Sequence, residues 1–144
     1  MLAVLLLAAF KDIRERRIPN GLLVVAGVGA LLLPLVVQSI SVRALLAGAS
    51  VGFLVFLPFY AVSAMGAGDI KLMAIVGAYL GPQGVLISAL FTALAGGVLA
   101  LGFALSRAGP RIPYAVAILA GVTGYVVVDW LDPAILNLPL QGLW

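Results

Sequence analysis

Cysteine and histidine are absent from this 144-residue chain, and charged residues make up only 9% of it. Without cysteine there are no disulfides, no thiolate nucleophiles and no cysteine–histidine zinc sites. Without histidine there is no Ser-His-Asp triad. Any chemistry must use carboxylates, amines, hydroxyls or the backbone. The shortage of charge is as telling. Soluble domains carry about 25% charged residues, and a chain that is 65% hydrophobic has too little polar surface to cover a core in water. Lipid must be its solvent. The net charge of +3 is too sparse and too local for a nucleic-acid surface and reads as membrane topology. No metal-ligand pattern is visible and no cofactor is expected.

What charge there is falls in clusters. Lys11, Asp12, Arg14, Glu15, Arg16 and Arg17 lie in one short stretch, and long apolar runs separate most of the others. The expected fold is an all-α integral membrane protein, a bundle of about six transmembrane helices forming one membrane-embedded domain over 1–144. The helices are expected over about 2–12, 19–37, 43–64, 69–80, 83–105 and 112–130. Gly66 to Gly68 break the chain before the fourth, and Gly81-Pro82 is a stop-and-turn signal after it. Met1 to Phe10 is apolar and runs into charges, the reverse of a secretory signal. It reads as a membrane helix, although a span needs roughly 20 apolar residues. The helix either continues through the charged stretch into water or lacks residues upstream.

The basic residues orient the bundle. Lys11, Arg14, Arg16, Arg17, Lys71, Arg107 and Arg111 fall on one set of loops, and Arg43 alone on the other, with Asp129 and Asp132. The positive-inside rule makes the first set cytoplasmic and puts both termini outside, with Trp130 and Trp144 at the outer interface. Small residues such as Gly48, Gly52, Ala95, Gly96 and Gly97 permit close helix packing. Arg17-Ile18-Pro19 recurs as Arg111-Ile112-Pro113. Each proline stands where a helix should begin, and its missing N–H is harmless there.

Charged side chains at or in a membrane are costly and mark function. Asp12 ends the first helix and Asp69 follows Gly66-Ala67-Gly68. The topology brings both to the cytoplasmic side at similar depth. Two carboxylates close together cannot both ionise easily, so such a pair shares a proton. The ionised member can take a proton from water while the protonated member polarises a scissile carbonyl. Which aspartate plays which part is not fixed by sequence. Gly66 and Gly68 permit positive φ and an uncovered backbone that a substrate strand could approach. The fourth helix, about 16 Å long at 1.5 Å per residue, is too short to span, so the loop before it is expected to dip below the headgroups. Taken singly, each acid has a plainer reading. Asp12 could pair with Arg16 one helical turn on, and Asp69 could be a helix N-cap.

Asp12-Ile13-Arg14-Glu15-Arg16-Arg17-Ile18-Pro19-Asn20 resembles the first catalytic segment of the type IV prepilin peptidases, an aspartate followed by basic residues and Ile-Pro-Asn. Gly66-Ala67-Gly68-Asp69-Ile70-Lys71 resembles their Gly-x-Gly-Asp segment, and Arg111-Ile112-Pro113-Tyr114 is similar to a third, weaker one. The three occur in family order. The resemblance implies an aspartic endopeptidase of the inner membrane, with Asp12 and Asp69 catalytic, that trims the basic leader from prepilin-like precursors at the cytoplasmic face. Gly66, Gly68, Lys71, Pro19 and Asn20 would bind substrate or shape the loop. Longer bacterial members add a cytoplasmic region with paired Cys-x-x-Cys motifs and N-methylate the new pilin terminus. This chain has no cysteine and resembles the short, peptidase-only branch that accompanies Flp/Tad pili, so no methyltransferase activity is expected.

Three other readings compete. A presenilin- or signal-peptide-peptidase-like protease also uses a Gly-x-Gly-Asp loop, but those are larger and Ile-Pro-Asn argues against them. A small transporter or proton-conducting protein would suit intramembrane acids and a broken helix, but would hold its acids near the midplane. A non-catalytic assembly partner would use its acids only to cap and pair. For Lys71, site tuning or contact with a polar leader competes with an ordinary interfacial lysine. Asn20 could cap the second helix or bond near the site. Precursor proteins and membrane lipid are the expected partners, with a homo-oligomer left open.

Overall fold

The apolar runs separated by charged or glycine-proline breaks fold into helices throughout, in a computed structural model that describes residues 1–15, 17–36, 41–63, 65–106 and 114–132. The order is α1 (Leu2–Glu15), α2 (Asn20–Val36), α3 (Val42–Ala61), α4 (Ala67–Ser106) and α5 (Tyr114–Leu131). Large apolar side chains cover much of the outside, among them Leu6, Leu7, Val25, Leu31, Leu57, Leu90, Leu94 and Leu101. That surface suits lipid rather than water.

Among the described residues there are five helical elements where six helices are expected, and the reasons are local. The expected fourth and fifth helices form one element, α4, with a single non-helical residue, Gly81, at φ 73 and ψ 177. Only glycine adopts that backbone at little cost. The stop signal is therefore real, but it breaks α4 without a separate loop. Among the described residues three helices, α3, α4 and α5, are long and apolar enough to cross a membrane. Within the described residues α2 covers 17 residues, about 25 Å against a hydrocarbon core of about 30 Å. α1 does continue through the charged stretch as far as Glu15.

Glycine lets the helices touch through their backbones. A Cβ on Gly48 would stand 2.0 Å from the Gly77 carbonyl oxygen and 2.8 Å from the Gly81 carbonyl carbon. One turn on, a Cβ on Gly52 would meet the Met73 backbone and the Val85 side chain. Moving along α3 thus meets decreasing numbers on one arm of α4 and increasing numbers on the other. The chain reverses at Gly81, and both arms pack on α3. The second arm then packs on α5, with Thr92 against Gly121, Phe91 against Gly124 and Tyr114 beside Gly96. α1 lies on α5, and α2 lies mainly on α4. The Tyr79 hydroxyl holds α2 by donating to the Ala26 carbonyl at 3.2 Å. Leu5, Ala8, Leu72, Met73, Val76, Val85, Ile118 and Val122 form the centre of the core.

This arrangement sorts the ends of the helices. The C-terminus of α1 and the N-termini of α2, α4 and α5 share one end of the bundle. Arg43 begins α3 at the other end, where Asp129 and the exposed Trp130 close α5. Lys11, Arg14, Arg17 and Lys71 therefore gather at the first end, the segregation expected from the sequence. Arg16, Arg107, Trp144 and the second Arg-Ile-Pro at 111–113 lie outside the described residues.

Candidate active site

The last turn of α1 is polar because Lys11, Asp12, Arg14 and Glu15 follow its apolar start. Three of these find partners near at hand. Lys11 pairs with Glu15 one turn on, and the Arg14 guanidinium lies 5.3 Å from the centre of the Phe10 ring, a cation–π contact. Asp12 reaches across the bundle instead. Its Oδ2 accepts a hydrogen bond from the Ala115 N–H at 3.1 Å. Ala115 is in the first turn of α5, where backbone amides have no partner within the helix and the helix dipole favours an anion. Asp12 supplies the cap that α5 otherwise lacks among its described neighbours.

Asp69 is set up from within its own loop. The helix begins at Ala67 rather than Asp69, so Asp69 is in the first turn and is not the N-cap residue. Its Oδ2 accepts from the Gly66 N–H at 3.0 Å, while its own N–H donates to the Gly66 carbonyl at 3.1 Å. This is half of a capping box, a side chain in the first turn reaching back to the residue before the helix. The side chain is buried at 8% exposure. Its other oxygen, Oδ1, is buried with no hydrogen-bond partner.

The glycines serve space rather than unusual backbone. Among the described residues the one glycine with positive φ is Gly81, so neither Gly66 nor Gly68 takes up the conformation expected of it. A Cβ on Gly66 would stand 3.3 Å from Asp69 Oδ2, and one on Gly68 would stand 3.2 Å from the Ile18 Cβ. Gly68 thereby brings the segment after α1 onto the start of α4. Pro19 precedes α2 and accepts from the Leu23 N–H at 3.4 Å, so it stands one position before the helix rather than inside it. Asn20 is the first residue of α2, exposed, and makes no hydrogen bond among the described residues, which removes it as a side-chain cap. Lys71 is exposed and likewise unbonded among them. The proposed pairing of Asp12 with Arg16 lies outside the described residues.

Asp12, Asp69, Gly66, Gly68 and Pro19 are thus brought to one end of the bundle. Two participants escaped the sequence reading. The Ala115 amide is backbone and has no sequence signature of its own, although Arg111-Ile112-Pro113-Tyr114 marks the start of its helix. Ile18 belongs to the Ile-Pro-Asn segment, but the sequence gives it no role of its own. Among the described residues no three His, Cys, Asp or Glu side chains cluster as a metal site would require. Two carboxylates therefore lie at this end, one held by a helix N-terminus and one buried beside a glycine loop; where two such groups come close enough to share a proton, they can act on a water.

The sequence model of the type IV leader peptidase family matches residues 1–101, which include both aspartates and both glycines. Neither a curated protein nor a solved structure matches the chain.

Proposed function

The chain belongs to the type IV leader peptidase family, and from that premise we propose that it is an aspartic endopeptidase with Asp12 and Asp69 as its catalytic pair. The observation that carries this reading is the meeting of the segments that bear the two aspartates at one end of the bundle, with Asp12 held by the first turn of α5 and Ile18 packed on Gly68. The substrates are prepilin-like precursors, cut on the cytoplasmic side of their apolar segment. Lys11, Arg14, Arg17 and Lys71 at the same end support a cytoplasmic site in a plasma-membrane protein with both termini outside. Water enters from that side, and no cofactor is involved. Placement of both acids at helix ends favours hydrolysis over conduction, which would want them near the midplane.

One carboxylate takes a proton from water as its oxygen adds to the scissile carbonyl carbon, and the other carboxyl stabilises the oxygen that becomes negative. Gly66 and Gly68 keep side chains away from this point, and Pro19 sets the start of α2 beside it. The test is co-expression of a prepilin-like precursor with wild type, Asp12→Asn or Asp69→Asn, with membrane levels checked. Cleavage by wild type and by neither variant is the expected result. Cleavage that survives either change rules out the pair, and a cut inside the apolar segment would favour a presenilin-like protease.

A further inference from the structure

The two aspartates have different surroundings, and the difference bears on their roles. Asp12 Oδ2 faces a free amide at the positive end of a helix, the Ala115 N–H, at 3.1 Å. A hydrogen bond from a backbone amide to a carboxylate is stronger when the carboxylate is charged, and the helix dipole adds to it. Asp69 is the more enclosed of the two, and its Oδ1 has no donor. An ionised carboxylate with a bare buried oxygen carries a desolvation penalty that the neutral acid largely avoids.

We infer that Asp12 is the ionised member of the pair and Asp69 the protonated one, and that the α5 N-terminus, through the Ala115 amide, sets this division. The inference rests on the peptidase reading and deepens it. Among the described residues the charged groups at this end are engaged elsewhere or exposed. Lys11 is engaged with Glu15, Arg14 lies over Phe10, and Arg17 and Lys71 are exposed.

The reaction then balances as follows. The water oxygen bonds to the scissile carbon, and one water proton passes to Asp12. The Asp69 proton passes to the carbonyl oxygen, giving a neutral gem-diol. The C–N bond breaks as Asp12 returns its proton to the leaving nitrogen, and a gem-diol hydroxyl returns one to Asp69. Both aspartates end as they began. Ala115 touches no substrate and is a positioning residue, acting through Asp12.

The test uses the purified full chain in phosphatidylethanolamine–phosphatidylglycerol vesicles. Infrared spectra are taken at the pH of greatest cleavage, and the C=O stretch of a protonated carboxyl is followed. The band should be present in wild type, persist in Asp12→Asn and be absent from Asp69→Asn. A band kept by Asp69→Asn and lost from Asp12→Asn, or absent from wild type, overturns the assignment. A second arm uses Ala115→Pro, which removes the N–H within the first helical turn, where proline is best tolerated. With its donor gone the Asp12 anion is less favoured, so the acidic limb of the cleavage profile should move about one pH unit upward. Ala115→Gly keeps the N–H and should show the wild-type limb. General damage to the fold would lower activity at every pH without moving the limb, and an unmoved limb in Ala115→Pro overturns the role of α5. Cleavage by the two asparagine variants, measured on the same vesicles, tells failure of this assignment from failure of the peptidase reading. If both are inactive but the band belongs to Asp12, only the assignment falls.

Discussion

Ile18 packs directly on Gly68, so that a Cβ on the glycine would stand 3.2 Å from the Cβ of Ile18. The segment that follows Asp12 thereby rests on the segment that carries Asp69. A contact of that length is tight but not impossible, and the neighbour must give by a few tenths of an ångström. Gly68→Ala should therefore accumulate in the membrane and cleave more slowly, by roughly tenfold, as about 1.4 kcal/mol of misplacement would produce. Gly68→Val, which adds branches to the same crowded point, should be inactive. Rates measured against membrane level check both. Wild-type rates in Gly68→Val would show that the contact does not position the site.

Gly48 and Gly77 predict a larger effect on stability. Each would place a Cβ 2.0 Å from the other's carbonyl oxygen. The obstacle is backbone and cannot swing aside, so α3 and α4 must separate. Gly77→Ala should cost more than about 3 kcal/mol, the range of severe overpacking, and should scarcely accumulate. Gly97→Ala is the matched comparison, because nothing lies within 4 Å of its Cβ position. That change should be neutral or stabilise by up to about 1 kcal/mol through helix propensity. Thermal unfolding in detergent, followed by helix content, separates the two.

Tyr79 ties α2 to α4 by a hydrogen bond from its hydroxyl to the Ala26 carbonyl. Interhelical hydrogen bonds in membranes are worth about 0.6 kcal/mol on average. Tyr79→Phe should lower stability by about that much and leave cleavage within twofold of wild type, since the bond lies away from the Asp12 end. Gly29 adds a sharper version. A Cβ there would stand 2.7 Å from the same hydroxyl, and Gly29→Val should displace the ring and cost more than Tyr79→Phe. The order of the two melting temperatures checks the argument.

The sequence carried the helical class, the break at Gly81 and the clustering of charge at one end, because apolar run length and glycine-proline pairs act locally. Helix number was harder to read. Gly81 interrupts α4 with one residue, and α2 is apolar like its neighbours but covers only 17 described residues. The site was legible in its residue types more than in their geometry. Gly-x-Gly-Asp reads naturally as a glycine turn with an aspartate cap. A side chain that reaches back three residues to Gly66 allows the helix to start earlier, at Ala67, and takes away any need for positive φ at Gly68. The partner of Asp12 lies 103 positions away and is a backbone group, which no residue pattern near Asp12 could indicate.

Lys71 offers the last prediction. Its place two residues after Asp69 suggests a part in the site, either shaping the loop or meeting a substrate. The side chain is exposed and makes no bond among the described residues, which speaks against loop shaping. Exposed lysines seldom contribute more than about 0.5 kcal/mol to stability. Lys71→Gln should therefore match wild type in membrane level and melting temperature, and cleave a prepilin-like precursor within about twofold of the wild-type rate. A substrate contact would give a different pattern, with unchanged stability and a KM several-fold higher at similar kcat, as loss of uniform binding requires. Measuring KM and kcat separately on the same preparation decides between an interfacial cation and a residue that receives the precursor.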